Sequence, residues 1–295
     1  MNSVFESKTP LPDKHLKERS KTLLGFDDLY GRVSRQLKLL LHADEVEAWS
    51  RSHHKKVITA ASLLRDQYPF AIFHGDVGTG KTAMAEAVAN RIATDSKTED
   101  SQLFKLSNRV RGTGNVGEMG SLIASAFAEI KSAIGKTQHA ILIIDEGDSL
   151  ATSRSQQQSH HEDRVAVNTV IQAIDSLRSA RGRIFTILCT NRMSALDPAI
   201  IRRASIIEHF QRPTNEQRAK LFQMDLDDLA LTPKEMATLV DATAATEKRP
   251  AWTYSDIRTR LYPAAIGLAF PDEALAFLHF KAALATLSPS PMISE

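Results

Sequence analysis

Cysteine, aromatic residues, net charge and long apolar runs are all scarce in this chain of 295 residues. The single cysteine, Cys189, excludes an internal disulfide framework and indicates a reducing environment. A formal net charge of +2 gives no electrostatic reason to expect nucleic-acid binding. No apolar stretch is long enough for a signal peptide or a membrane span, so we expect a cytoplasmic protein without a membrane partner.

The sequence does contain a regular alternation of short apolar segments with helical periodicity. Its composition, 42% hydrophobic and 24% charged, is that of an ordinary globular protein. The five predicted strands are residues 70–74, 103–106, 141–145, 184–189 and 205–210. Because strands and helices alternate, we predict an α/β fold with a five-stranded parallel sheet covered on both faces.

The pattern changes near Pro213, after which only helical periodicity is found. We therefore predict three parts. Residues 1–23, which are polar, charged and proline-containing, are expected to form a mobile tail. Residues 24–212 form the large α/β domain, and residues 213–295 form a small all-helical domain.

A phosphate-binding motif, GDVGTGKT, lies between the first predicted strand and the next helix. This setting matches the G-x-x-x-x-G-K-[ST] pattern, so a chance glycine-rich turn is disfavoured. The loop's backbone N–H groups would face the phosphates of ATP, Lys81 would reach the β- and γ-phosphates, and Thr82 would offer its hydroxyl to Mg²⁺. The predicted nucleotide-binding residues are Gly75, Asp76, Val77, Gly78, Thr79, Gly80, Lys81 and Thr82.

Negative charge follows the most apolar strand, in the sequence ILIIDEGD. Buried carboxylates are costly without a positive partner, and a magnesium–triphosphate complex would supply one. Asp145 would then bind Mg²⁺, and Glu146 would act as the general base on an attacking water. The alternative is a strand end that merely reaches solvent, and the phosphate loop argues against it.

Three further polar residues suit a nucleotide site. Asn191 follows the strand IFTILC and could hydrogen-bond the γ-phosphate, although Asn is also common in turns. Arg202 and Arg203 suit the γ-phosphate of a neighbouring subunit, as arginine fingers. Two solvated arginines at a helix end are an equally good interpretation of the same pair.

The motifs GDVGTGKT, ILIIDE, TILCTNR and ALDPAIIRRA, in this order, resemble those of the AAA+ ATPases. The resemblance implies a P-loop NTPase domain, a helical lid domain, nucleotide between the two, and homohexameric rings. The stretch from DEGDSL to PAIIRRASI is most similar to the pachytene-checkpoint ATPases, which remodel HORMA-domain proteins. A chain this short resembles a bacterial form associated with antiphage cyclic-nucleotide signalling.

The resemblance also implies roles for individual arginines. Arg203 matches the single finger arginine of the checkpoint subgroup, and Arg202 matches the first arginine of the broader AAA pattern. In the lid domain, Arg258 is the predicted γ-phosphate sensor, with Arg260 as the alternative. Both lid arginines would otherwise be solvated helix residues.

A pore loop that grips the protein substrate is implied within residues 111–120. Asn115 and Val116 stand where family members usually place an aromatic residue. Val116 offers less contact area than an aromatic ring, so the threading of a substrate chain is less strongly predicted than ATP hydrolysis.

The function predicted from these residues is an ATPase that remodels a HORMA-domain protein. The first alternative is a DNA-acting ATPase of the clamp-loader or helicase-loader type, although the charge balance makes nucleic acid an unlikely partner. The second is a scaffold that binds ATP without turnover, and Glu146 argues against it.

Overall fold

The computed structural model describes residues 4–95, 101–106, 118–134, 138–147, 161–180 and 183–293. The chain divides into two compact units. One contains Met1–His74 and Thr82–His209, and the other contains Gly75–Lys81 and Phe210–Glu295. The phosphate loop, which the sequence assigns to the α/β domain, thus groups with the helical unit. No helix in these described ranges is long and apolar enough to cross a membrane.

The sheet has six strands in the order β1-β3-β4-β5-β2-β6. The strands are β1 Phe5–Leu11, β2 Phe70–Gly75, β3 Ser101–Leu106, β4 Ala140–Ile144, β5 Ile184–Thr190 and β6 Ile206–Phe210. The pairs β3–β4, β4–β5 and β2–β5 are parallel. All residues of β4 and β5 are buried, as their uninterrupted apolar sequences predict. The predicted α/β fold is confirmed, and all five predicted strands are present.

The sixth strand, β1, corrects the prediction of a mobile tail over residues 1–23. It pairs antiparallel with β3 at the edge of the sheet. The ring of Phe5 is buried and lies 5.0 Å from the ring of Phe104. The sequence FESKTPL is apolar only at its two ends, which is why its periodicity gives no strand signal. An edge strand with polar side chains facing outward has this composition.

Eight helices, all within the described ranges, accompany the sheet. They are α1 Lys14–Ser20, α2 Phe26–Leu41, α3 Ala43–His54, α4 Thr59–Ser62, α5 Lys81–Asp95, α6 Glu118–Ala133, α7 His161–Ser176 and α8 Pro198–Ile201. The buried core joins sheet residues such as Leu142 to Ile130 of α6 and Ile174 of α7. These helices thus supply the cover that a buried parallel sheet requires.

The segment after β1 is fixed to helix α5, which follows the phosphate loop. The Asn90 side chain accepts a hydrogen bond from the Asp13 backbone N–H (2.7 Å) and donates one to the Asp13 carbonyl (3.0 Å). Glu86, also on α5, pairs with Arg19 at 2.7 Å and with Lys105 at 2.9 Å. Residues of the predicted tail therefore help to hold the helix that carries Thr82.

The second unit is helical beyond residue 214, as predicted. Its helices are α9 Asn215–Leu226, α10 Pro233–Ala242, a π-helix Asp256–Leu261, α11 Tyr262–Ala269 and α12 Phe277–Thr286. Capping boxes begin α9 and α10 at Thr214 and Thr232. The core is built around the fully buried side chains of Phe222, Trp252 and Phe280.

We predict that Phe5→Ala destabilises the protein by roughly 3 kcal/mol, because it removes a buried ring from the sheet core. Urea unfolding followed by circular dichroism measures the effect. Glu6→Ala, which changes an exposed neighbour, is the control and should leave the midpoint nearly unchanged. Equal midpoints for the two variants would mean that β1 contributes nothing to the fold.

Candidate active site

Three predicted groups follow strands whose carboxyl ends share one edge of the sheet. In the parallel register, Ile144 of β4 lies opposite Leu188 of β5, and His74 of β2 lies opposite Thr190. The phosphate loop continues from β2, the acidic pair follows β4, and Asn191 follows β5. This is the edge at which open α/β sheets bind their ligands.

The two predicted magnesium ligands are in contact. The Thr82 hydroxyl donates a hydrogen bond of 2.8 Å to Oδ2 of Asp145, which is half-buried. A hydroxyl and a carboxylate are hard oxygen ligands, which Mg²⁺ prefers. Two protein ligands are enough, because Mg²⁺ keeps several waters and binds mainly through a nucleotide's phosphates. Among the described residues there is no cluster of three His, Cys, Asp or Glu side chains that could hold a metal alone.

Glu146 occupies a strained turn at the end of β4. Its backbone φ of 50° is in the left-handed region, which residues other than glycine rarely adopt. Its N–H donates to Oδ1 of Asp145 at 2.9 Å, and its own side chain is exposed. At Gly147, a Cβ would lie 2.4 Å from Leu188, so the glycine lets the turn pack closely on β5. The turn therefore holds Asp145 inward and leaves the Glu146 carboxylate accessible to water.

The phosphate loop is curled around its own lysine. Nζ of the buried Lys81 donates to the carbonyls of Gly75 (2.9 Å) and Asp76 (2.8 Å). The Thr79 hydroxyl also donates to the Asp76 carbonyl, at 2.7 Å. Because Lys81 and Thr79 hydrogen-bond to these two carbonyls, the loop is held in the curved shape that directs its N–H groups toward an anion.

At two positions of the loop only glycine fits, both because other atoms approach the Cα closely and because φ is positive. Gly75 has φ 139°, and a Cβ there would lie 2.0 Å from the Phe210 carbonyl oxygen. Gly78 has φ 76°, and a Cβ would lie 2.6 Å from Thr253 Oγ1. The Gly78 carbonyl accepts a hydrogen bond from the Ser255 N–H at 3.1 Å. The loop thus packs directly against the segment that leads into the π-helix.

The remaining loop residues differ in exposure. Gly80, with φ 94°, has open space where a Cβ would stand. The Val77 side chain is 40% exposed. The Asp76 carboxylate accepts a hydrogen bond from the Val77 N–H at 2.8 Å and pairs with Arg212, a residue that motif reasoning did not single out. The phosphate loop therefore carries a buried ion pair in addition to its backbone cradle.

Asn191 lies half-buried in a tight turn after β5. The Thr190 hydroxyl accepts from the Arg192 N–H at 3.1 Å and donates to the Arg192 carbonyl at 3.2 Å. Thr190 thus closes the turn around Asn191 and fixes the backbone that carries it.

The two adjacent arginines differ sharply. Arg202 ends α8 with an exposed side chain. Arg203 makes a bidentate pair with Asp175, Nε–Oδ1 2.6 Å and Nη2–Oδ2 3.0 Å, and also donates to the Ala199 carbonyl at 2.8 Å. The hydrogen bonds with Arg203 hold the pKa of Asp175 below its usual value. Arg203 therefore joins α8 to α7 within its own subunit.

Arg258, the predicted lid sensor, lies on the π-helix. Its Nε and Nη2 donate to the two carboxylate oxygens of Asp225, each at 2.7 Å, and the Tyr262 hydroxyl donates to the same carboxylate at 3.2 Å. Hydrogen bonding to Asp225 raises the pKa of Arg258 further above its usual value. Arg260 is more exposed and contacts Asp256 at 3.2 Å.

The predicted pore-loop residues, Asn115 and Val116, lie outside the described residues.

Comparison with known proteins identifies the family. A model of the "ATPase family associated with various cellular activities (AAA)" matches residues 71–212. The CD-NTase-associated protein 6 of Escherichia coli strain KTE188 is 55% identical over 294 residues, covering 100% of this chain and 99% of that protein.

Solved structures agree with this assignment. The structure of the E. coli MS115-1 HORMA:CdnC:Trip13 complex contains a chain with a TM-score of 0.90 and 34% identity, covering 99% of both chains. The structure of Rhizobiales Trip13 matches with a TM-score of 0.72 and 30% identity, covering 97% of this chain and 99% of that one. The chain therefore belongs to the AAA family of ATPases, and within that family it is of the Trip13 type.

Proposed function

We propose that this protein is a ring-forming ATPase that remodels a HORMA-domain protein and thereby regulates antiphage cyclic-nucleotide signalling. The observation that carries the proposal is the full-length likeness, at a TM-score of 0.90, to a chain solved in a HORMA:CdnC:Trip13 complex. The 55% identical relative named as CD-NTase-associated supports the same setting.

The chemistry follows from the side chains at the sheet edge. Lys81 and the loop N–H groups bind the phosphates of ATP. Thr82 and Asp145 are the residues that would hold Mg²⁺, which supplies positive charge to the phosphate oxygens when bound. Glu146, exposed on its strained turn, orients a water molecule and accepts its proton. Asn191 hydrogen-bonds the γ-phosphate or that water.

Arg258 serves as the γ-phosphate sensor in this proposal. It is paired with Asp225, so contacting the nucleotide requires it to leave that carboxylate. The exchange of one anionic partner for another would make the π-helix responsive to the nucleotide.

Arg202 and Arg203 divide the finger role. The exposed Arg202 is free of the bidentate pair that occupies its neighbour, and it is the better candidate to reach the γ-phosphate of an adjacent subunit. Arg203 fixes the short helix α8 from which Arg202 projects. Asn115 and Val116 remain the positions proposed to contact substrate in the pore.

Glu146→Gln should abolish steady-state phosphate release while ATP binding is kept, because the amide cannot accept the proton from water. Phosphate release and calorimetric titration with ATP and magnesium measure the two properties. Lys81→Ala is the comparison variant and should lose binding itself. Residual turnover in Glu146→Gln near the wild-type rate would remove Glu146 from the base role.

Substitutions of Arg202 and Arg203 should differ in their effect on thermal stability. We expect Arg202→Ala to lower kcat by at least about 10³-fold without changing the thermal midpoint. Arg203→Ala should lower both, because it removes the hydrogen bonds that join α8 to Asp175 of α7. Calorimetric ATP binding should persist in Arg202→Ala. If only Arg203→Ala loses turnover at unchanged stability, the assignment of the two is reversed.

The substrate class is tested by capture. Glu146→Gln in the presence of ATP should retain a HORMA-domain protein in a pull-down, and Lys81→Ala under the same conditions should not. The HORMA protein should also stimulate the wild-type ATPase. Stimulation by duplex DNA without any response to the HORMA protein would instead favour a DNA-acting loader.

A further inference from the structure

Arg212 connects the phosphate loop to residues 290–293, here called the strap. Its Nε donates to the Asp76 carboxylate. Its Nη1 donates to the Ala251 carbonyl at 2.6 Å, and its Nη2 donates to the carbonyls of Ser290 (2.9 Å) and Pro291 (3.0 Å). The Arg212 and Asp76 side chains are only 9% and 11% exposed. One guanidinium therefore binds the loop, the strap and the chain before the π-helix together.

The strap has a second anchor at Asp256, a buried residue of the π-helix. Ser290 donates to Asp256 Oδ1 through both its hydroxyl (2.6 Å) and its N–H (3.2 Å), while the Thr253 N–H donates to Oδ2 at 3.0 Å. Burial alone would raise the pKa of Asp256, but the hydrogen bonds from Ser290 and Thr253 hold it below its usual value. The strap also reaches the loop directly, since the Ile293 N–H lies 3.4 Å from Asp76 Oδ1.

The ion pair between Arg212 and Asp76 matters for nucleotide binding because Asp76 is negatively charged. Asp76 is within the loop whose N–H groups bind phosphate, so an unpaired carboxylate there would repel the polyphosphate. Because both side chains are nearly excluded from water, solvent screens that repulsion weakly. Removing Arg212 would leave a buried, uncompensated negative charge beside the phosphate site.

We propose that Arg212 is a positioning residue for ATP binding: it neutralises Asp76 and shapes the phosphate loop, and the strap holds Arg212 in place. This inference rests on ATP binding at the loop, which is part of the proposed function. It adds that residues distant in sequence from the motif, 212 and 290–293, set the affinity of the loop for nucleotide.

The first test measures the ATP dissociation constant by calorimetry in the Glu146→Gln background, and KM and kcat in the otherwise unchanged protein. Arg212→Met should raise both the dissociation constant and KM about tenfold or more, with a smaller effect on kcat. Arg212→Lys, which keeps the charge, should restore part of the affinity.

A second substitution distinguishes neutralisation from simple structural support. Adding Asp76→Asn to Arg212→Met removes the uncompensated charge, so the double variant should bind ATP more tightly than Arg212→Met alone. Equal or weaker binding by the double variant would overturn the proposal, and a parallel loss of thermal stability in both variants would assign the effect to structural support alone.

The strap is tested by adding a negative charge at Ser290, which lies within it, or at Ser288, which lies before it. Ser290→Asp sets a second carboxylate against Asp256 and should weaken ATP binding as Arg212→Met does. Ser288→Asp adds the same charge at an exposed position before the strap and should bind ATP like the parent. Equal affinity of the two variants would show that the strap has no part in binding. If the parent itself binds no ATP, or Lys81→Ala binds it equally well, the proposed nucleotide site fails instead.

Discussion

The neutralisation of carboxylates at the carboxyl edge of a buried sheet is the constraint on which the active site depends. β4 is apolar at every position and is followed at once by Asp145 and Glu146, while Asp76 lies in the loop after β2. The negative charge of each of these three carboxylates is accommodated in a different way. Asp145 accepts from Thr82 and from a backbone N–H, Asp76 pairs with Arg212, and Glu146 is turned out to solvent by a strained backbone. The solvent-exposed carboxylate, Glu146, is the one that suits proton transfer from water.

The sheet and the local motifs were predictable because their signals lie within a few consecutive residues. Uninterrupted apolar runs identify β4 and β5 as buried strands, and the glycine spacing of residues 75–82 identifies the phosphate loop. By contrast, β1 is held by pairing with β3 and by Phe104, about a hundred positions away in the chain. Local periodicity carries no information about such a partner, and a polar edge strand consequently resembles a tail.

Side-chain pairing at the site escaped sequence reasoning for a similar reason. Nothing in the residues around Arg212 indicates Asp76, and nothing around Arg203 indicates Asp175, because each pair is formed by the folding of distant segments. The positive φ of Glu146 is the partial exception. Gly147 directly after the acidic pair signals a tight turn, although the strained residue is the glutamate before it.

The arginines with proposed roles differ in the ion pairs that each would have to break to contact a nucleotide. Arg203 and Arg258 each make a bidentate pair with an aspartate. Arg212 is the least exposed of the three, with a 9% exposed side chain, and it also donates to the carbonyls of Ser290 and Pro291. Separating a buried pair leaves an uncompensated charge and costs several kcal/mol, whereas an exposed pair costs about 1 kcal/mol or less. Arg212 is therefore suited to a static role, whereas Arg258, at 26% exposure, is better suited to the exchange of Asp225 for a γ-phosphate that its proposed sensor role requires. Arg202, exposed at the end of α8, makes no ion pair with any residue that the structure describes, so its proposed action on another subunit would break no such pair.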